Sequence, residues 1–158
     1  MDACVIPKVF TKEQCESIIS FHIDWIENEG YVGDNEDRRI DTSKRRCIVY
    51  EPPSEEHVPS WLIGKIFKII FAVNKKVFNF DLGKGDIELT LLRYNSGGHY
   101  ETHFDIGPTE PKRKLSFSLL LNDSYEGGEL KFIGQEKKTE SKLEIGDMIV
   151  FPSYFCHN

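Results

Sequence analysis

The chain has 158 residues, 39% of them apolar and 29% charged, the balance of an ordinary globular domain with one core. A net charge of −6 offers no basic field for nucleic acid, and no apolar run approaches a membrane span, since Lys68 interrupts the longest, Ile66–Val73. Cys4, Cys15, Cys47 and Cys156 form no C-x-x-C pair, and the start Met1-Asp2-Ala3-Cys4 lacks the features of an export signal. The sequence therefore reads as cytoplasmic, with reduced thiols.

Helical signals come first. Thr11 and Gln14 are spaced as a capping box. Cys15, Ile18, Ile19, His22, Ile23 and Ile26 follow helical spacing, and Gly30 ends that helix. Residues 31–47 are polar and read as loop, followed by a short strand at Cys47-Ile48-Val49-Tyr50. A second helix begins near Ser60, with Leu62, Ile63, Ile66, Phe67, Ile70, Val73 and Val77 on its apolar face.

From Asp86 the period changes to two. Ile87–Leu91, Tyr100–Asp105 and Leu115–Leu119 alternate, and Glu129–Ile133, Ser141–Ile145 and Met148–Phe151 are shorter strand candidates. Asn95-Ser96-Gly97-Gly98, Asn122-Asp123, Gly127-Gly128 and Gly146-Asp147 supply the turns. Many short strands with glycine turns indicate an antiparallel sandwich or jelly roll.

The chemistry is concentrated in His103-Phe104-Asp105. Residues two apart on a strand share a face, so an imidazole and a carboxylate can take neighbouring positions on one metal. His157 follows a strand ending in Phe151-Pro152 and is the third ligand candidate. In a jelly roll a late strand returns beside an early one. Two His and one carboxylate on one face of a metal leave three positions open, as in non-haem Fe(II) oxygenases, although the same ligands also suit zinc. His99 lies four residues from His103, about 13 Å along a strand, too far to share that metal, and reads as a turn residue. His22 reads as a packed histidine and His57 as an exposed one. Asp147 reads as a turn former, Cys156 as a small buried residue, and Glu126 and Glu129 as exposed. The Gly/Pro- and charge-rich segment from Ile106 to Lys114 reads either as a lid over the site or as a plain connection.

The same residues carry a resemblance. Tyr94-Asn95-Ser96-Gly97-Gly98-His99-Tyr100-Glu101-Thr102-His103-Phe104-Asp105 resembles the tyrosine, glycine-turn, tyrosine, H-x-D segment of prolyl 4-hydroxylase-type Fe(II)/2-oxoglutarate oxygenases. Lys114–Asn122 resembles the next core strand, Tyr125-Glu126-Gly127-Gly128-Glu129-Leu130 the G-G-E-L turn, and Gly146–Ser153 with His157 the approach to the distal histidine. The resemblance is close over 86–158 and looser before it.

It implies an α+β fold, mostly β with supporting helices. That fold is a double-stranded β-helix (jelly roll) with the N-terminal helices packed on one sheet, organised as one domain over 1–158: a helical support region (1–85) and a core (86–158). It implies Fe(II) on His103, Asp105 and His157, with no further catalytic residue. 2-Oxoglutarate and O2 are the cosubstrates and ascorbate the candidate reductant. The activity implied is oxidative decarboxylation of 2-oxoglutarate to succinate and CO2 coupled to C–H hydroxylation, with prolyl residues of a protein or peptide as the substrate class. Tyr94 takes a cosubstrate role and Tyr100 a place in the substrate pocket. The family carries an Arg or Lys on the strand beyond the distal histidine, where it clamps the far carboxylate of 2-oxoglutarate. The sequence ends at Asn158, so this closing strand is expected to be missing and the chain to be a fragment. Lys114 (for the cosubstrate) and Arg113 (toward the substrate) are the substitute cations. The rival reading is a catalytically inactive metal-binding β-barrel serving as a binding or structural module. Zinc-dependent hydrolysis lacks an evident general base.

Overall fold

The computed structural model describes residues 2–33, 37–83, 86–107, 112–134 and 143–158. The named strands are β1 (Cys4–Ile6), β2 (Ile26–Glu29), β3 (Arg45–Arg46), β4 (Ile48–Glu51), β5 (Leu91–Arg93), β6 (His99–Tyr100), β7 (Leu115–Leu119) and β8 (Met148–Pro152), with helices α1 (Lys12–Ser20) and α2 (Ser60–Val73). All pairings are antiparallel, in the orders β1-β8-β7, β2-β4-β5 and β3-β6.

Strand β8 organises the core. Every residue of Met148-Ile149-Val150-Phe151-Pro152 is buried, because the strand is covered on both faces. Met148 and Val150 pack with Cys15, Ile18, Leu62 and Ile66 of the two helices, while Ile149 and Phe151 face a second cluster with Phe155 and Phe132. The helices thus lie on one face of the β1-β8-β7 sheet. Strand β8 also realises the late-beside-early pairing, placing Cys4 against Val150.

Helix α1 starts at the expected capping box: the Gln14 N–H donates to the Thr11 side chain and the Thr11 N–H to the Gln14 side chain. It ends sooner than its apolar spacing predicts. A short 3-10 turn (Phe21–Ile23) leads into β2, whose Ile26 pairs with Glu51 of β4. Trp25 is buried and stacks on Phe21 at 5.7 Å, while Ile23 and Ile26 stay exposed. Their helical spacing is coincidental, and the backbone gains more from the β4 ladder and the buried indole. Helix α2 begins at Ser60 as read and buries Leu62, Ile66 and Val73, then ends in a π turn (Asn74–Phe78) that leaves Val77 exposed.

Four strands, β1 to β4, fall within the first 85 residues, so this half builds sheets as well as helices. The loop expected over 31–47 carries β3 and a Val32–Arg39 bridge. Ile87 and Leu89 pack on the core as their alternation requires, but ladder pairing begins only at Leu91. The segment 129–133 is no full strand. It pairs with the chain end through Lys131–Asn158 and Ile133–Cys156 hydrogen bonds. In the candidate strand 141–145, residues 141–142 lie outside the described residues, and 143–145 lead into the Asp147 turn. Asp147 is buried and accepts from the Lys8 and Glu144 N–H groups, the turn-forming role read for it. Among the described residues no helix is long and apolar enough to cross a membrane.

Candidate metal centre

The site forms where chain partners change. Strand β6 pairs with β3, Tyr100 opposite Arg45, and the Glu101 N–H extends that pairing to the Lys44 carbonyl. At His103 the partner becomes the C-terminal segment. His103 and His157 exchange both backbone hydrogen bonds, at 2.8 and 3.0 Å. Phe132 bridges His157 from the other side. Ser153, fully buried, accepts the N–H groups of Asp105 and Ile106 at 3.1 and 3.2 Å and donates its own to Lys114 at 3.0 Å. The segment after β8 is thereby fixed between the H-x-D loop and the chain around 131–133.

The side chains converge. One donor atom each of His103, Asp105 and His157 lies within 4.8 Å of the others. His103 Nε2 is 3.4 Å and His157 Nε2 3.7 Å from Asp105 Oδ1. The opposite nitrogens fix the tautomers. His103 Nδ1 is 2.8 Å from the Glu101 carbonyl and His157 Nδ1 2.9 Å from the Phe155 carbonyl. A carbonyl only accepts, so each Nδ1 carries a hydrogen, and in its neutral form each ring turns an Nε2 lone pair to the carboxylate. In that form three acceptors face one another, and they repel unless a proton or a metal ion lies among them. The donor set therefore fits a metal ion, with the backbone carbonyls as the outer support such ligands use.

Electrostatics favour the ligand forms. Burial holds the His157 imidazole below the usual value, toward neutrality, outweighing the Phe155 hydrogen bond and the Asp105 charge that pull the other way. Burial pushes the Asp105 carboxyl up, but hydrogen bonds from His103 and Ser116 and the His157 charge more than offset it and hold the group below its ordinary range. The Ser116 hydroxyl is 2.9 Å from that of Ser153. Phe151 meets the His157 ring edge-on at 4.9 Å, and Phe132 lies at 6.0 Å.

The remaining candidates are distributed around this centre. The Tyr100 ring stacks on His103 at 3.6 Å, so the two do not project to opposite faces as strict alternation predicts; the strand ends at Tyr100 and the chain bends at Thr102. Tyr94 is 45% exposed, but its hydroxyl, withdrawn from water beside Cys47 and Tyr100, is pushed up to about 12. Arg113 donates to the Asp105 carbonyl at 3.0 Å and pairs with Glu88. It ties the H-x-D backbone rather than projecting a free cation. The Lys114 side chain is exposed. His99 is a strand residue of β6, not a turn residue, and bonds the Ser43 carbonyl at 3.1 Å, away from the ligand cluster. His22 packs edge-on to Tyr50, and His57 is exposed. Cys156 is only partly buried. In the 106–114 segment, residues 108–111 lie outside the described residues. Ser116 and Ser153 escaped the sequence reading. Their one signal was polar residues beside apolar neighbours on strands that otherwise read as core.

Comparison with known proteins agrees with this geometry. Residues 89–158 match the family model of the 2OG-Fe(II) oxygenase superfamily. A PKHD-type hydroxylase of Rippkaea orientalis is 44% identical over 75 residues, covering 44% of this chain and 34% of that protein. A PKHD-type hydroxylase of Aliarcobacter butzleri is 27% identical over 164 residues, covering 96% of this chain and 69% of that protein. The fold of a prolyl-4-hydroxylase of Pseudomonas putida superposes with a TM-score of 0.72 at 19% identity, covering 98% of this chain and 83% of that one. That likeness shows the fold. The matched stretch spans about a third of the length of the first curated relatives.

Proposed function

From the superfamily match of residues 89–158 and the ligand geometry together, we propose that this chain, similar in sequence and fold to prolyl hydroxylase-like 2-oxoglutarate oxygenases, is an Fe(II)/2-oxoglutarate-dependent hydroxylase acting on prolyl residues of a protein or peptide. The observation that carries it is the convergence of two imidazole lone pairs and a carboxylate, with both Nδ1 hydrogens held by backbone carbonyls. His103, Asp105 and His157 hold the metal. Bound Fe(II), with 2-oxoglutarate and O2, supplies the oxidising power for C–H hydroxylation.

The chain's own residues prepare that chemistry. The Glu101 and Phe155 carbonyls accept from the two Nδ1 hydrogens and aim the rings. Ser116 holds the carboxylate, and Phe132 and Phe151 keep water from the far side of His157. Tyr100, flat against His103, forms a wall of the reaction space, and the Tyr94 phenol, protonated at neutral pH, is a hydrogen-bond donor for the cosubstrate. We assign the strands to a jelly roll acting as one domain, on the pairing of β8 with β1 and of His157 with His103. A cytoplasmic setting is supported by the four unpaired thiols. Ascorbate is the assigned reductant. Protein or peptide is assigned over nucleic acid on the net charge of −6.

Succinate formation from 2-oxoglutarate tests the assignment. With Fe(II) and O2 the chain should release succinate, and Asp105→Ala should release none. An iron-loaded wild type that forms no succinate, with or without proline-containing peptides, contradicts the activity.

A further inference from the structure

The two imidazoles of the metal centre are held differently. His157 is buried, with Phe151 edge-on at 4.9 Å and Phe132 at 6.0 Å. The His103 side chain is 19% exposed, and the Tyr100 ring lies flat along it, 3.6 Å between centroids and 20° between planes. Tyr100 ends the two-residue strand β6, so its place depends on the strand opposite.

The residue opposite is Arg45, whose guanidinium carbon lies 4.4 Å from the Tyr100 centroid, within cation–π range. The same guanidinium reaches Tyr31: its carbon is 5.7 Å from that ring, and Nη1 donates to the Tyr31 carbonyl at 3.1 Å. The Arg38 guanidinium carbon sits 3.3 Å from the Tyr31 centroid, and the Tyr31 hydroxyl donates to Glu51 at 3.1 Å. Arg38, Tyr31, Arg45, Tyr100 and His103 thus make a chain of contacts in which cations and rings alternate, from the exposed surface to a metal ligand. Arg45 is half-buried, yet among the described residues no carboxylate pairs with it and its Nε has no hydrogen-bond partner. Polar contacts alone leave such a cation poorly compensated. Its aromatic neighbours supply the rest of its support.

We propose that, with the metal held as read above, Arg45 and Tyr100 are positioning residues for the ligand His103. Arg45 fixes the Tyr100 ring, and that ring limits rotation of the imidazole, so that Nε2 stays turned to Asp105. Two other roles have different signatures. A guanidinium acting only through its charge repels a divalent cation, so its removal tightens metal binding. Removal of a brace weakens it. A residue that only packs supports thermal stability without altering the coordination of a bound metal.

The test reads Mn(II) affinity by calorimetry and the visible absorption of the Co(II)-loaded chain, neither of which requires turnover. Arg45→Met keeps the stem and removes the charged fork. Its Mn(II) affinity should fall about tenfold, the low end for loss of a ligand's outer support, and its Co(II) bands should shift. Arg45→Lys, which keeps the charge without the planar fork, should fall between wild type and Arg45→Met. Tyr100→Phe, which keeps the ring, should retain more affinity than Tyr100→Leu. Both residues act through one contact, so Arg45→Met added to Tyr100→Leu should cost little beyond Tyr100→Leu alone. Far-UV spectra check the fold, and if Arg45→Met does not fold, Arg45→Lys and the Tyr100 pair decide. Tighter Mn(II) binding in Arg45→Met, additive losses in the double variant, or unchanged Co(II) bands with lowered thermal stability overturns the positioning role. A wild-type chain that binds no Mn(II) overturns the metal reading itself, and the positioning role with it.

Discussion

His103 and His157, 54 residues apart in sequence, are joined by a reciprocal pair of backbone hydrogen bonds, and their rings lie 4.3 Å apart with both Nε2 atoms turned to Asp105. The backbone pair sets the spacing of the two rings before any metal arrives. The centre is therefore preorganised, and its ligands can be removed without unmaking the bridge that holds them.

Asp105→Asn should accordingly retain the fold while losing metal. The affinity loss should exceed the roughly 10–100-fold that removal of an outer hydrogen bond costs. Metal-binding calorimetry with Mn(II) and a far-UV spectrum check both halves. Near wild-type affinity in Asp105→Asn contradicts the ligand assignment.

Ser116→Ala removes the hydroxyl that holds the Asp105 carboxylate and contacts Ser153. Metal affinity should fall by about 10–100-fold. Ser116→Thr, which keeps the hydroxyl, should recover most of it. Equal losses in the two variants point to packing instead of orientation.

Gly146→Ala should be among the most damaging single changes. Gly146 has φ +85°, and a Cβ there runs into the Phe10 carbonyl oxygen. Backbone strain alone is of order 1–3 kcal/mol, and the clash adds to it by displacing Phe10, which donates to the Gly146 carbonyl at 3.2 Å. Urea unfolding should show the loss at an unchanged slope. A change under roughly 0.5 kcal/mol contradicts the close approach.

Acid should destabilise the metal-free chain in two windows. His157 is held below the ordinary imidazole value of about 6.5. As pH falls below that value the unfolded chain takes up a proton that the folded chain resists, so stability declines. Asp105 is held below the ordinary carboxylate value of about 3.9, so its contribution is present above that pH and is lost as pH falls through the folded value. Both shifts have the same sign. Stability measured from pH 8 downward should drop first below about 6.5, and this first drop should be smaller in His157→Gln. A stability that rises across that window contradicts the burial of a neutral His157.

The convergence of His103, Asp105 and His157 was legible from their motifs, and the central strands were legible because local rules govern them. Leu115–Leu119 alternates and forms β7 as read, Met148–Phe151 lies in β8, and the capping box starts α1. Motif spacing brought His157 to His103. Where the reading failed, tertiary pairing outweighed local pattern. Ile23 and Ile26 kept helical spacing beyond the end of the helix, because Trp25 and the β4 ladder decide that turn. The Tyr100–Asp105 alternation missed the change of partner at His103, which depends on the distant segment Ser153–His157. Ser116 and Ser153 left only the weak signal of a polar residue beside apolar neighbours, since their meaning lies in what they touch.

The central claim is one metal held by three named side chains. An anaerobic Fe(II) titration of the wild-type chain and of Asp105→Ala measures it directly. One equivalent of Fe(II) per wild-type chain, and none in the variant at the same concentrations, is the predicted result. Equal binding by the two chains, or no binding by the wild type, would contradict it.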